Sequence, residues 1–226
     1  MKFGGTSVGK PERMYQVADL ITKDSDSKIV VLSALSGTTN ALVAIGNCLA
    51  QGDKEQAKDH IEKLEIHYKN FIMDLLAKEE FQAKAYTIIE EHFDFLNIIL
   101  KISFSDALSK DILAQGELMS TKLFCVYLEE KEIPHFLLPA LEFMMIDANE
   151  EPQVGIIRQK LMQILDKHTD KKLFITQGYI CKNARGEVDN LKRGGSDYTA
   201  SLIAAAIEAT VCEIWTDIDG MHNNDP

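Results

Sequence analysis

Apolar positions along this chain follow two rhythms. Met14, Val17, Ala18 and Ile21 recur at helical spacing behind Pro11, which sits where a first helical position is expected. Lys28–Leu35 (KIVVLSAL) instead runs continuously apolar and β-branched, as a strand buried on both faces does. Ser36–Asn40 reads as a turn opening a helix over Ala41–Leu49. From Asp53 to about Lys131 there is no strand signal. Ile61, Leu64, Tyr68, Phe71 and Leu75 repeat every three or four residues, and the stretch predicts three or four amphipathic helices.

Strand patterns return at His135–Leu138, Met144–Ile146 and Lys172–Cys181, with a last one at Val211–Asp217. Helices are predicted at Val154–Lys167 and Asp197–Thr210, and Asn183–Gly186 reads as a hairpin turn. Met1–Phe3 forms a short first strand that runs into Gly4-Gly5. The alternation predicts an α/β fold: a three-layer sandwich whose mostly parallel central sheet is covered by helices on both faces, with a helical segment at about 53–131. At 226 residues the chain is long enough for one large core without metal or disulfide. The three-residue opening strand and the polar ending Met221–Pro226 are both read as truncations of that domain.

Composition narrows the partners. Acidic residues outnumber basic ones 35 to 24, for a net charge of -11, a field that opposes nucleic acid and anionic membranes. A nucleotide site in such a chain must gather its cations locally. Cys48, Cys125, Cys181 and Cys212 lie far apart with no C-x-x-C pair and are expected as buried free thiols in a reducing compartment. With no apolar run of the ~18 residues a membrane helix needs, and no apolar leader, a cytoplasmic location is expected.

In open α/β sheets ligands bind outside the carboxyl ends of the strands. Four polar clusters are expected there: Lys2–Gly9, Ser33–Asn40, Arg193–Asp197 and Thr216–Gly220. Lys2-Phe3-Gly4-Gly5-Thr6-Ser7 is a strand–glycine–helix junction; its spacing suits phosphate binding and a plain tight turn equally. Gly4–Lys10 also fits G-x-x-x-x-G-K, but Pro11 follows and offers neither the hydroxyl nor the N–H of a P-loop. In Arg193-Gly194-Gly195-Ser196-Asp197, an arginine before two glycines suits a carboxylate or phosphate, while Asp197 taken alone reads as a helix cap. Glu117 stands among Leu113, Leu118, Leu123 and Phe124, so its face is expected to be partly buried, where an ionised carboxylate needs a partner such as an ammonium group. Asp217-Ile218-Asp219-Gly220 has its glycine misplaced for a calcium loop, and the histidines lack metal-ligand spacing, so no protein metal site is expected.

Six stretches in order across nearly the whole chain together resemble the aspartate kinases of the amino-acid kinase family: KFGGTSV at Lys2–Val8, VVLSALSGTTN at Val30–Asn40, GELMST at Gly116–Thr121, TQGYI at Thr176–Ile180, RGGSDYTA at Arg193–Ala200 and EIWTDIDG at Glu213–Gly220. The resemblance implies transfer of the ATP γ-phosphoryl group to the side-chain carboxylate of L-aspartate, on the route to lysine, threonine and methionine. It implies that Lys2, Gly4 and Gly5 contact ATP phosphates, with Mg2+ held mainly through those phosphates. Thr216 and Asp217 would contact the nucleoside, and His222 stands where the family often has a tyrosine near the nucleotide. Thr39, Glu117, Arg193, Gly194 and Ser196 would hold the amino acid, Glu117 at its α-ammonium, and Asp197 would orient Lys2. The full-length protein is expected to be a homodimer with regulatory ACT-type domains beyond residues 1–226, and this span alone to turn over poorly. Other readings stand beside this one: a related kinase acting on another carboxylate, a P-loop NTPase, and a non-catalytic fragment that binds aspartate or dimerises.

Overall fold

The central layer is a five-stranded, all-parallel sheet in the order β3-β4-β2-β1-β7, seen in a computed structural model that describes residues 1–192 and 194–216. Its strands are β1 (Lys2–Phe3), β2 (Lys28–Leu32), β3 (Phe136–Leu138), β4 (Leu173–Gln177) and β7 (Ile214–Trp215). Parallel strands need crossovers, and the apolar runs of β2 and β4 fill both faces. Val30 and Leu32 of β2, with Leu173 and Ile175 of β4, join one core; Val31 and Phe174 join the other.

The first face is covered by α2 (Pro11–Ile21), α3 (Thr38–Ala50), α4 (Lys54–Leu75), α5 (Glu79–Ile99) and α6 (Asp106–Glu130). Pro11 is the first residue of α2, as its missing N–H allows. The helical segment predicted at 53–131 is therefore three helices. Asp53 caps α4 by accepting from the Gln56 N–H at 3.0 Å, and Ser105 caps α6 by accepting from Leu108 N–H at 3.3 Å. Helix α5 has no cap of its own. Buried Glu130, at the end of α6, accepts from the N–H groups of Ala77 and Lys78 instead, at 2.8 and 2.7 Å. The second face carries α7 (Ala140–Phe143), α8 (Val154–Leu165) and α9 (Gly195–Ile207). Between Gly4 and Pro11 lies a single helical turn, α1 (Gly5–Val8), that the sequence pattern does not announce.

Several expectations change. The strand predicted at Lys172–Cys181 is two: the chain turns at Gly178 and Tyr179, the latter at φ 68°, and continues as β5 (Ile180–Lys182). That strand pairs antiparallel with β6 (Val188–Asn190) around the expected turn, where Gly186 N–H donates to Asn183 O. Met144–Ile146 forms only isolated bridges, to Lys182 and Pro152. Helix α3 begins at Thr38 rather than Ala41, α8 ends at Leu165 in a 3-10 turn, and α9 runs from Gly195 to Ile207. The last strand is confined, among the described residues, to Ile214–Trp215 at the sheet edge. Just before that edge, Cys212 is exposed, against the expectation of a buried thiol; Cys48, Cys125 and Cys181 are buried. No helix among the described residues is long and apolar enough to cross a membrane.

Candidate active site

An open cleft of about 610 Å3 lies at the carboxyl ends of β1 and β2. Lys2, Gly5, Thr39, Glu117, Gly194, Ser196 and Asp197, singled out from the sequence, all line it. Gly4 is adjacent, a Cβ there falling 3.3 Å from Lys2 Nζ. Thr216 does not line it; this exposed residue follows β7, one strand beyond β1. Arg193, Asp217 and His222 lie outside the described residues. Contrary to expectation, the Gly194–Asp197 cluster does not follow a strand of the main sheet. It follows the β5–β6 hairpin, which leaves the end of β4 and returns to the cleft.

Lys2 reaches the cleft from β1, and its Nζ lies 2.7 Å from Asp197 Oδ1. The lysine side chain is 12% exposed and the aspartate 52%, so the pair sits where the cleft meets solvent. Asp197 stands in the first turn of α9 but makes no side-chain cap; Gly194 occupies the cap position. The helix-cap reading of Asp197 is thus replaced by a charge pair with Lys2.

Glu117 arrives from α6 and is only 4% exposed. Gly116 permits this approach: a Cβ there would meet the Ala34 methyl at 2.9 Å and side-chain atoms of Leu42 and Thr38 at 3.3 Å. The Ala34 N–H donates to Glu117 Oε1 at 3.3 Å, and Oε2 has no hydrogen-bond partner among the described residues. Burial pushes the carboxyl up to about 8, against the opposing pull of backbone hydrogen bonds. The burial is deeper than the sequence implies, and no cation of the described residues pairs with it.

Ser33 and Ser36, from the polar cluster expected after β2, also line the cleft, as do Tyr179 and Lys192, which the sequence pattern does not mark out. Gly178 is the position that seats α9. A Cβ on it would lie 2.5 Å from Ser196 Oγ and 2.9 Å from Ser196 Cα, so only glycine lets Ser196 settle against the end of β4. The next residue is held by two further bonds: Tyr179 N–H donates to Thr199 Oγ1 at 3.0 Å, and Leu191 N–H to Tyr179 O at 2.8 Å. The stretch TQGYI carried this signal, a glycine inside an apolar strand marking close backbone approach.

A parallel sheet thus gathers a glycine turn, a paired lysine and a buried carboxylate around one cleft at its carboxyl end, the place where open α/β sheets bind ligands. The amino acid kinase family model matches residues 1–226, and the chain belongs to that family. The lysine-sensitive aspartokinase 3 of Escherichia coli is 33% identical over 234 residues, covering all of this chain and 50% of the relative. A crystal structure of E. coli aspartokinase III in complex with lysine and aspartate superposes with a TM-score of 0.84 at 31% identity, over 97% of this chain and 49% of the other. The same enzyme in complex with aspartate and ADP superposes at 0.80 and 32%, with the same coverage. The chain thus spans about half the length of these relatives.

Proposed function

We propose that this chain is the catalytic part of an aspartate kinase, joining the ATP γ-phosphoryl group to the side-chain carboxylate of L-aspartate. The observation that carries the reading is Glu117: a buried carboxylate with one unpartnered oxygen, lining the same cleft as the Lys2–Asp197 pair. A buried carboxylate without a counter-charge is costly, and an arriving ammonium group removes that cost. The E. coli relatives with aspartate and ADP bound support the choice of amino acid and nucleotide.

In this reading Glu117 takes the α-ammonium of aspartate, while Thr39, Arg193, Gly194 and Ser196 hold the rest of the amino acid. Lys2, Gly4 and Gly5 face the phosphates, with Asp197 setting the direction of Lys2. Thr216, Asp217 and His222 serve the nucleoside. The acceptor carboxylate has an intrinsic pKa of ~3.9, so it is already ionised at neutral pH and needs no general base. One of its oxygens bonds to the γ-phosphorus as the bond to the bridging oxygen breaks, and ADP leaves with that electron pair. Bringing two anions together is the difficulty, and Lys2 and the glycine-turn N–H groups offset their repulsion. Among the described residues no cluster of His, Cys, Asp and Glu could form a metal cage, and Asp197 is engaged by Lys2. Mg2+ accompanying ATP would be held mainly by the phosphates, where it neutralises charge.

Trapping the acyl phosphate with hydroxylamine tests the reading in the full-length protein. Hydroxamate should form with aspartate and ATP, and not with glutamate or acetate. Turnover of either alternative carboxylate in preference to aspartate contradicts it.

A further inference from the structure

The stretch GELMST carries two hydroxyls one turn beyond Glu117, and both are fully buried. A serine inside a helix ordinarily bonds back to its own helix, three or four residues earlier. Thr121 does so: its Oγ1 donates to Glu117 O at 2.8 Å and accepts from Gln177 Nε2 at 2.8 Å. Ser120 behaves differently. Its shorter bond leaves the helix, donating to Ser33 O at 2.8 Å, while Glu117 O lies at 3.2 Å.

Ser33 starts the loop after β2, and its own N–H donates to Phe3 O on β1 at 3.2 Å. The next residue, Ala34, supplies the N–H that reaches Glu117 Oε1. A continuous line of bonds therefore runs from α6 through Ser33 to the strand that carries Lys2. We propose that Ser120 is a positioning residue, whose hydroxyl locks α6 to the end of β2 and so fixes the Glu117 carboxylate relative to Ala34 N–H and Lys2.

A merely structural serine would affect stability alone. The positioning role makes a separate demand, because the Ala34 N–H bond favours the ionised form of Glu117 and is among the groups that hold its pKa down. Among the described residues, the other ionisable groups around Glu117 are Tyr68 on α4, Tyr179 after β4, Lys2 on β1, Lys192 ahead of α9 and Asp197 in its first turn. None of them bonds to Ser120.

The test uses the full-length protein and two readouts. One is the NMR titration of the Glu117 side-chain carboxyl carbon without ligand, assigned with Glu117→Gln. The other is the calorimetric affinity for L-aspartate, and only this second readout rests on the function proposed above. In Ser120→Ala the titration midpoint should move up from that of the parent, and aspartate affinity should fall roughly 10-fold. Cys125→Ala, a buried change on the same helix that lines a separate groove beside α5, should leave both as in the parent. Ser120→Cys, which keeps a weak donor, should lie between and serves if the alanine variant does not fold. An unmoved Glu117 midpoint in the Ser120 variants overturns the proposal, whatever happens to affinity. A moved midpoint in a protein that never binds aspartate upholds the positioning role and instead contradicts the aspartate site.

Discussion

Lys2 Nζ and Asp197 Oδ1 stand 2.7 Å apart, tying the first strand of the sheet to the first turn of the last described helix. The pairing constrains a long, flexible side chain at the mouth of the cleft. An unpaired lysine there would sample many rotamers, and the aspartate restricts it; in the function proposed above, that direction is toward the ATP phosphates.

Lys2→Ala should therefore lower kcat by on the order of 10²–10³-fold in the full-length enzyme, with aspartate affinity little changed. Asp197→Asn should lower kcat less. The double variant should resemble Lys2→Ala alone, because the aspartate acts through the lysine. Steady-state kinetics on the three variants checks this. Additive losses would mean that Asp197 has a role of its own.

Glu117 makes the cleft sensitive to pH. Its folded-state pKa is raised to about 8 from an ordinary value of 4.5. Between these values the folded chain keeps a proton that the unfolded chain has released, so stability falls as pH rises across that window. Glu117→Gln should flatten this slope, raising Tm more at pH 8 than at pH 5, as measured by calorimetry. Aspartate binding at pH 7 should release a proton, since the ammonium requires the ionised carboxylate. Titrations in buffers of different ionisation enthalpy would detect the release in the parent and its loss in Glu117→Gln.

Gly178→Ala should damage the site from beneath. The added methyl would sit 2.5 Å from Ser196 Oγ and 2.6 Å from Ser196 Cβ, so the start of α9 must shift. A stability loss of about 1–3 kcal/mol by urea denaturation is expected, together with loss of aspartate binding.

Glu130 provides the contrast. It is buried and accepts from two N–H groups ahead of α5, far along α6 from the cleft. Glu130→Ala leaves both donors without that acceptor and should cost about 1–3 kcal/mol, with kcat and both KM values unchanged in the folded fraction.

Much of this arrangement is legible in the sequence, and the exceptions have physical reasons. The buried strands β2 and β4 and the helices between Asp53 and Lys131 announce themselves because apolar spacing reports which faces meet the core. The division of Lys172–Cys181 does not, because Ile180 and Cys181 are as apolar as the strand before them while the chain turns at Gly178 and Tyr179. Lys2, Glu117, Ser196 and Asp197 could be named as candidates from local chemistry and from resemblance. That Asp197 pairs with Lys2 instead of capping α9 follows from the parallel arrangement of β1 beside the helix, which local pattern does not encode. Ser33 falls in the polar cluster expected after β2, but Tyr179 is not marked out by local pattern: it contributes by its place after a strand, and its side chain is not unusual on its own.

If Glu117 receives the ammonium of the acceptor amino acid, its loss must affect aspartate and succinate differently. Succinate keeps both carboxylates of aspartate and lacks the amine. In the full-length protein, Glu117→Gln should weaken aspartate binding by about 2–5 kcal/mol, the cost of breaking a desolvated charge pair, and leave succinate and ATP binding nearly unchanged. Equal weakening of aspartate and succinate would contradict the claim, because Glu117 would then shape the cleft without recognising the amine.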